Sequence, residues 1–353
     1  MTTKLIRTLV AEDSITTREL LVSLLRADPE VQVVGEAKDG VEAMEMTRRL
    51  QPDVVTMDIR MPRLDGFEAT RQIMVETPTP IVIVTASVDV RDVEVSMHAL
   101  RAGALTVLPK PPGPESPDFE AETRRFVSTV KAMSQVKVVR RWARALSEER
   151  GRVSIAPNGA RPRVLAVGAS TGGPAALARI LSELPGDFPA PILAVQHISR
   201  GFMEGFAAWL NTAGAMKVKI AQNGEPLLAR NVYLAPDDGH LGVSPDRATV
   251  LVSRAAPVAG FRPSANFLFD SVGRAFGTST LALILTGMGQ DGVDGLRSVR
   301  EAGGRTIGQD EETSVVFGMP GAAAAAGLVD LTLPLGAMAS RLVELFAGEK
   351  RWG

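Results

Sequence analysis

The feature that most restricts this chain is a repeated alternation of short, apolar, β-branched runs with helical patterns. Between residues 5 and 110 the runs read LIRTLVA, VQVVGEA, DVVTMD, PIVIVTA and ALTVLPK. Runs of that length separated by helical stretches predict a parallel sheet with helices on both faces. A helical pattern follows from about residue 118 to 149, and then GRVSIAPNGARPR, whose Gly, Pro and Arg content marks a linker centred on residues 151–162. The alternation restarts with VLAVGAS, PILAVQH, VYLAP and LALILTG. A chain of 353 residues is long for one core, so the reading is a first α/β domain over 1–125, a helix and linker over 126–162, and a second α/β domain over 163–353. The tract GAAAAAG at 321–327 reads as a tightly packed helix start.

Composition removes several function classes. There is no cysteine, which excludes disulfides, thiolate metal sites and a cysteine nucleophile. A net charge of −1 argues against a generic nucleic-acid binder. The first residues, MTTKLIRTLVAED, do not read as a secretory leader, and no apolar run approaches the roughly 18 residues of a membrane span. A cytoplasmic protein without direct membrane insertion is expected.

In open α/β sheets ligands sit beyond the carboxyl ends of the strands. In the first domain those ends carry Glu12 and Asp13, Asp58, Thr85 and Lys110. Each acid alone could be a helix cap, and Asp13 before SITTREL could be only that. Together they bring carboxylates, a hydroxyl and an ammonium to one place. Such a set suits a hard, oxygen-seeking cation, Mg²⁺, whose charge would offset an incoming phosphoryl group and leave Asp58 as the nucleophile. The motifs AEDS, DIRMPRLDG, VTAS and LPKP resemble the response-regulator receiver domain, a flavodoxin-like fold, over residues 1–125. That resemblance implies that Asp58 accepts phosphate from a chemotaxis-type histidine kinase. It also implies that Glu12, Asp13, Asp58 and the carbonyl of Arg60 hold Mg²⁺, and that Thr85 and Lys110 contact the phosphoryl oxygens. One position departs from the family: Val107 stands where an aromatic residue is common, three before the lysine.

The second domain opens with VLAVGASTGGPAALARIL, a strand, a glycine turn and a helix with Pro174 suited to its first turn. Gly168 to Gly172 matches GxSxG around Ser170, and the N–H groups of Thr171 and Gly172 would face a developing oxyanion. Read blandly, the same turn is a helix cap or a phosphate cradle. A serine needs a base. His98 lies in a helical pattern of the first domain, and His240 lies in a turn that keeps it eligible. His197 follows PILAVQ at the same sheet end as Ser170 and is preferred. Asp291, after LALILTGMGQ, supplies the orienting acid. The order Ser, His, Asp excludes a simple α/β-hydrolase, in which the acid precedes the histidine. Gly287, Gly289 and Gly292 also spell GxGxxG with Asp310 further on, but a carboxylate at Asp291 inside that turn would repel a pyrophosphate.

The segments GASTGGP, QHI, YLAP, FRPSANFLFDS, LTGMGQDG and QDEETSVVFGMP resemble the chemotaxis protein-glutamate methylesterase family, and with the receiver the likeness covers nearly the whole chain. The resemblance implies a second doubly wound, mostly parallel domain with Ser170 as nucleophile, His197 as general base and Asp291 as orienting acid. Thr171 and Met288 would line the oxyanion region. It also implies hydrolysis of γ-glutamyl methyl esters on the cytoplasmic helices of methylated chemoreceptors, releasing methanol without a further cofactor, and deamidation of particular glutamines. Asn266 stands where an acid is common, Asp237 and Asp238 extend the APxxxH turn, and Gly321 stands where lysine is frequent. The order of the domains adds the expectation that the unphosphorylated receiver covers the Ser170 site and that phosphorylating Asp58 releases it. Two rivals stand beside this reading. A receiver tethered to a DNA-binding effector would bring a basic second half with a recognition helix. A catalytically silent adaptor would keep the fold and bind receptors through it.

Overall fold

The structure is a computed structural model and describes residues 5–85, 99–100, 102–136 and 161–347. The chain divides into two compact units, Met1–Ser147 and Glu148–Gly353. His98, most of the expected linker and the end of the helical pattern beyond residue 136 lie outside the described residues.

The first unit is built on β1 (Ile6–Ala11), β2 (Val31–Ala37), β3 (Val54–Met57), β4 (Ile81–Thr85) and β5 (Thr106–Pro109). They form one parallel sheet in the order β2-β1-β3-β4-β5, the flavodoxin-like winding expected from the sequence. Its described helices are α1 (Ile15–Arg26), α2 (Gly40–Leu50), α3 (Gly66–Glu76) and α4 (Phe119–Met133). Side chains fix where the first three begin: Ser14 accepts from the N–H of Thr17, Asp39 from Val41 and Glu42, and Asp65 from Glu68. The cap of α1 is therefore Ser14, which leaves the Asp13 carboxylate free of that duty. β3 and β4 are buried along their whole length, because helices cover both faces of the sheet.

The second unit carries a seven-stranded parallel sheet in the order β14-β13-β12-β6-β7-β9-β8. Its strands are β6 (Val164–Ala169), β7 (Ile192–Gln196), β8 (Lys217–Ile220), β9 (Asn231–Leu234), β12 (Thr280–Ile284), β13 (Arg305–Gln309) and β14 (Leu331–Leu333). A separate antiparallel ribbon pairs β10 (His240–Val243) with β11 (Val250–Ser253). The helices are α5 (Gly173–Glu183), α6 (Met203–Ala213), α7 (Ala265–Phe276), α8 (Val293–Glu301), α9 (Met319–Ala325) and α10 (Leu335–Ala347). From β6 the chain winds one way through β7 and β9, then returns to place β12 on the other side of β6. That reversal opens the crevice where parallel sheets hold their ligands. One core cluster runs through β6, β7 and β12 to α7, with Phe269, Leu268, Val272 and Leu296 fully buried in it. The alanine tract differs from expectation. It is the body of the seven-residue α9, and Ala324, Ala325 and Ala326 are exposed, so helix propensity and one buried face explain it better than tight packing.

Candidate active site

In the first unit, the ends of β1, β3, β4 and β5 bring the expected polar residues together. Ligand oxygens of Glu12, Asp13 and Asp58 lie within 4.8 Å of one another, with Glu12 and Asp58 buried and Asp13 exposed. Lys110 reaches across from β5, its Nζ 2.7 Å from Glu12 Oε2 and 3.0 Å from Asp58 Oδ2. Burial pushes the carboxyls of Glu12 and Asp58 above their ordinary range, more than the lysine pulls them down. Burial alone would lower Lys110, but its bonds to Glu12 and Asp58 outweigh that and raise it. Two clustered, buried carboxylates that resist ionisation form a site in want of positive charge, which fits a divalent cation. Thr85 is buried at the end of β4, and its carbonyl accepts the Lys110 N–H at 2.8 Å. Arg60 is exposed beside Asp58. Val107, at the departure from the family pattern, is buried within β5.

The second unit assembles its site at the reversal of strand order. Ala169 pairs with Gln196 as the last rung between β6 and β7, so Ser170 and His197 are the next residues on neighbouring strands. The Ser170 backbone is tied on both sides. Its N–H donates to the Thr286 carbonyl at 3.1 Å, and its carbonyl accepts from Gly173 N–H and Gln196 Nε2, each at 2.8 Å. Gly172 holds φ 78°, and a Cβ there would strike Val315, so this turn requires glycine. Among the described residues neither Thr171 N–H nor Gly172 N–H has a hydrogen-bond partner, and both stand at the N-terminus of the eleven-residue α5. Unpaired donors at a helix N-terminus favour an anion. Met288 is 42% exposed in the loop after β12.

Asp291 is held as an acceptor. Ser264 Oγ donates to its Oδ1 at 2.8 Å, Asn266 N–H to Oδ1 at 3.1 Å and Ala265 N–H to Oδ2 at 2.7 Å, so the carboxylate caps α7. The same Oδ2 lies 2.9 Å from His197 Nε2, off the line of the ring N–H. Burial would raise this carboxyl, but His197 and the α7 donors outweigh it and hold Asp291 below the usual range. Asn266 explains its own departure from the family pattern. Its Oδ1 accepts the N–H groups of Gly292 and Gly295 at 3.0 and 2.8 Å, capping α8 while Asp291 caps α7. His240 is fully buried, with Nε2 3.1 Å from the Ala256 carbonyl and its ring stacked on Phe267 at 4.6 Å. That engagement leaves His197 as the histidine beside the acid.

Sequence reasoning missed Gln196, Thr286, Gln309 and Ser264. Gln196 donates to the Ser170 and His197 carbonyls, each at 2.8 Å, and Thr286 Oγ1 to the Thr171 carbonyl at 2.9 Å. Gln309 Oε1 accepts the Thr286 N–H at 2.9 Å. The available signal was an amide closing a strand, after an apolar run in ILAVQ and at the end of RTIGQ, and both amides are buried. Gly287 is a further constraint, since a Cβ there would meet Met319 Sδ and lie 2.7 Å from Ser170 Cβ. Gly287→Ala is expected to displace Ser170 and lower kcat by about 10²-fold with the fold retained, as measured by ester turnover beside a thermal melt.

A nucleophile-sized hydroxyl on a glycine turn, a histidine on the adjacent strand and a buried, capped carboxylate define a serine-hydrolase type of site on a parallel α/β sheet, preceded by a domain with an acidic pocket. Known proteins agree. A family model described as CheB methylesterase matches residues 165–342, and one for the response regulator receiver domain matches residues 8–116. The protein-glutamate methylesterase/protein-glutamine glutaminase 4 of Myxococcus xanthus (strain DK1622) is 59% identical over 97% of this chain and 98% of its own length. Protein-glutamate methylesterase/protein-glutamine glutaminase 3 of Anaeromyxobacter dehalogenans (strain 2CP-C) is 54% identical over 96% and 98% respectively. The crystal structure of the Thermotoga maritima CheB methylesterase catalytic domain superposes with a TM-score of 0.51 at 38% identity, covering 52% of this chain and 98% of that one. The chain belongs to the CheB methylesterase family, with a receiver domain ahead of the hydrolase domain. Receiver membership brings phosphorylation control, and receivers of this family typically use Mg²⁺ for it. Among the described residues no helix is long and apolar enough to cross a membrane.

Proposed function

We propose that this chain hydrolyses γ-glutamyl methyl esters on the cytoplasmic helices of chemoreceptors, releasing methanol, and deamidates particular receptor glutamines at the same site. The observation that carries this reading is the His197–Asp291 contact of 2.9 Å one strand from Ser170, whose turn carries the Thr171 and Gly172 N–H groups that have no partner among the described residues. Ser170 Oγ attacks the ester carbonyl while His197 takes its proton. Asp291 orients the imidazole and stabilises its charged form without itself being protonated. Thr171 and Gly172 N–H groups receive the oxyanion, with Met288 beside them. Collapse expels methanol, which takes the proton back from His197, and water repeats the sequence in reverse to free the carboxylate. A glutamine side chain passes through the same acyl-enzyme and loses ammonia instead.

In the receiver, Asp58 accepts a phosphoryl group from a chemotaxis-type histidine kinase, and the protein acts in the cytoplasm. Glu12, Asp13, Asp58 and the Arg60 carbonyl would hold Mg²⁺, which neutralises charge on the phosphoryl oxygens when bound. Lys110 and Thr85 would contact those oxygens. Phosphorylation relieves a block on Ser170, for which a coupling of about 1–3 kcal/mol, or roughly 5–150-fold in activity, is sufficient. The test is methanol release from methylated receptor preparations with and without a small phosphodonor and Mg²⁺. Wild type should be stimulated by tens of fold and Asp58→Ala not at all, and equal stimulation of both would remove Asp58 from the account. The adaptor reading requires that no methanol be released in either state.

A further inference from the structure

We propose that Phe261 is a positioning residue for His197, seated on the imidazole face by a clamp in which Asp238 joins Arg262 to Arg200. The Phe261 ring lies parallel to the His197 ring, with centroids 4.6 Å apart and planes 6° from parallel. Asp291 meets the imidazole at its edge, through Nε2, so the two contacts constrain different motions of the same ring. The edge contact sets where the nitrogens lie, and the face contact opposes tilting out of that plane. An aromatic face is also the electron-rich side of the ring and favours a cation laid against it, so the contact strengthens when His197 takes up the serine proton.

The backbone around Phe261 is built to hold it there. Val258 and Phe261 exchange two hydrogen bonds of 3.0 Å across a two-residue turn, with Ala259 at φ 50° and Gly260 at φ 86°. Two positive φ angles in such a turn give the tight hairpin geometry that fixes the flanking residues in register. The next residue, Arg262, places Nε and Nη2 on Asp238 Oδ1 at 3.1 and 2.7 Å, and Nη1 on the Ala255 carbonyl at 3.2 Å. Asp238 Oδ2 meets Arg200 Nη2 at 3.0 Å, and the neighbouring Asp237 accepts the Gly201 N–H at 2.5 Å. Arg200 and Gly201 belong to the loop that leaves His197. The Asp237–Asp238 turn thus grips the loop bearing the base and the loop bearing the ring that covers it. Arg262 is suited to this because its planar fork bonds in fixed directions, which a lysine cannot reproduce.

Phe261 is 38% exposed, so it contributes little to the core, and catalytic and stability effects are separable. The proposal rests on His197 being the base. In the full chain, activated by phosphodonor and Mg²⁺, Phe261→Leu is expected to lower kcat for methyl-ester hydrolysis about tenfold, with KM and the melting midpoint close to wild type. Phe261→Tyr keeps a ring on the imidazole and should restore kcat to within about twofold. Arg262→Lys should lie between wild type and Phe261→Leu. An unchanged kcat in Phe261→Leu, a change confined to KM, or a Phe261→Tyr as impaired as Phe261→Leu would each overturn the proposal. Wild-type activity and its loss in Ser170→Ala are measured in the same series. If wild type is inactive or Ser170→Ala retains activity, the hydrolase reading fails; if only the Phe261 variants miss expectation, that reading stands and the positioning role is lost.

Discussion

Ser170→Ala is expected to lower kcat for methyl-ester hydrolysis by about 10⁶-fold while leaving the fold intact. The size follows from the proposed chemistry, in which without Oγ there is no acyl-enzyme, and His197, Asp291 and the Thr171 and Gly172 N–H groups have nothing to act through. The intact fold follows from the backbone. What holds this turn is the Ser170 N–H on Thr286, its carbonyl on Gln196 and Gly173, and the positive φ of Gly172, none of which uses the hydroxyl. Methanol release should fall to the limit of detection, and labelling by an acyl-serine probe should vanish, with a melting curve matching wild type within a degree or two. Residual turnover above about one part in a hundred would place the nucleophile elsewhere.

Asp291→Asn is expected to cost about 10⁴-fold in kcat, comparable to loss of the orienting acid in serine hydrolases generally, and to destabilise the protein as well. Ser264 Oγ, the N–H groups of Ala265 and Asn266, and His197 Nε2 all converge on the two carboxylate oxygens. An amide offers one acceptor oxygen, so its NH₂ must face either the Ser264 and Asn266 donors or the Ala265 and His197 side. Either orientation leaves a buried donor unsatisfied, at about 1–3 kcal/mol. Because its folded-state carboxyl is held below the ordinary range, Asp291 contributes stability that is present above the unfolded carboxylate pKa and lost as pH falls through the folded value. The variant should therefore show a flatter loss of stability below about pH 4 than wild type. Denaturant melts across acidic pH check that difference, and single-turnover kinetics check the rate.

What was legible in the sequence followed from periodicity and position. Apolar runs ending in polar residues located Glu12, Asp58 and Lys110 at one sheet end and Ser170 and His197 at another, because parallel strands buried on both faces leave only their ends for chemistry. The glycines around Ser170 announced a tight turn, and Gly172 makes it at φ 78°. Asn266 and Asp238 showed the limit of that approach. Both were read as departures from a motif, yet Asn266 caps α8 through Gly292 and Gly295, and Asp238 joins two arginines from loops far apart in the chain.

Local pattern determined the two α/β folds, the strand ends and the residue types gathered there, since these depend on burial along each strand and on turn chemistry between neighbours. Only the tertiary structure decided that β12 returns beside β6, so that α7 donates to Asp291 and Phe261 lies against His197. Those contacts join residues dozens of positions apart. No one-dimensional periodicity encodes their geometry, because it is set by how the helices and loops pack once the sheet has formed.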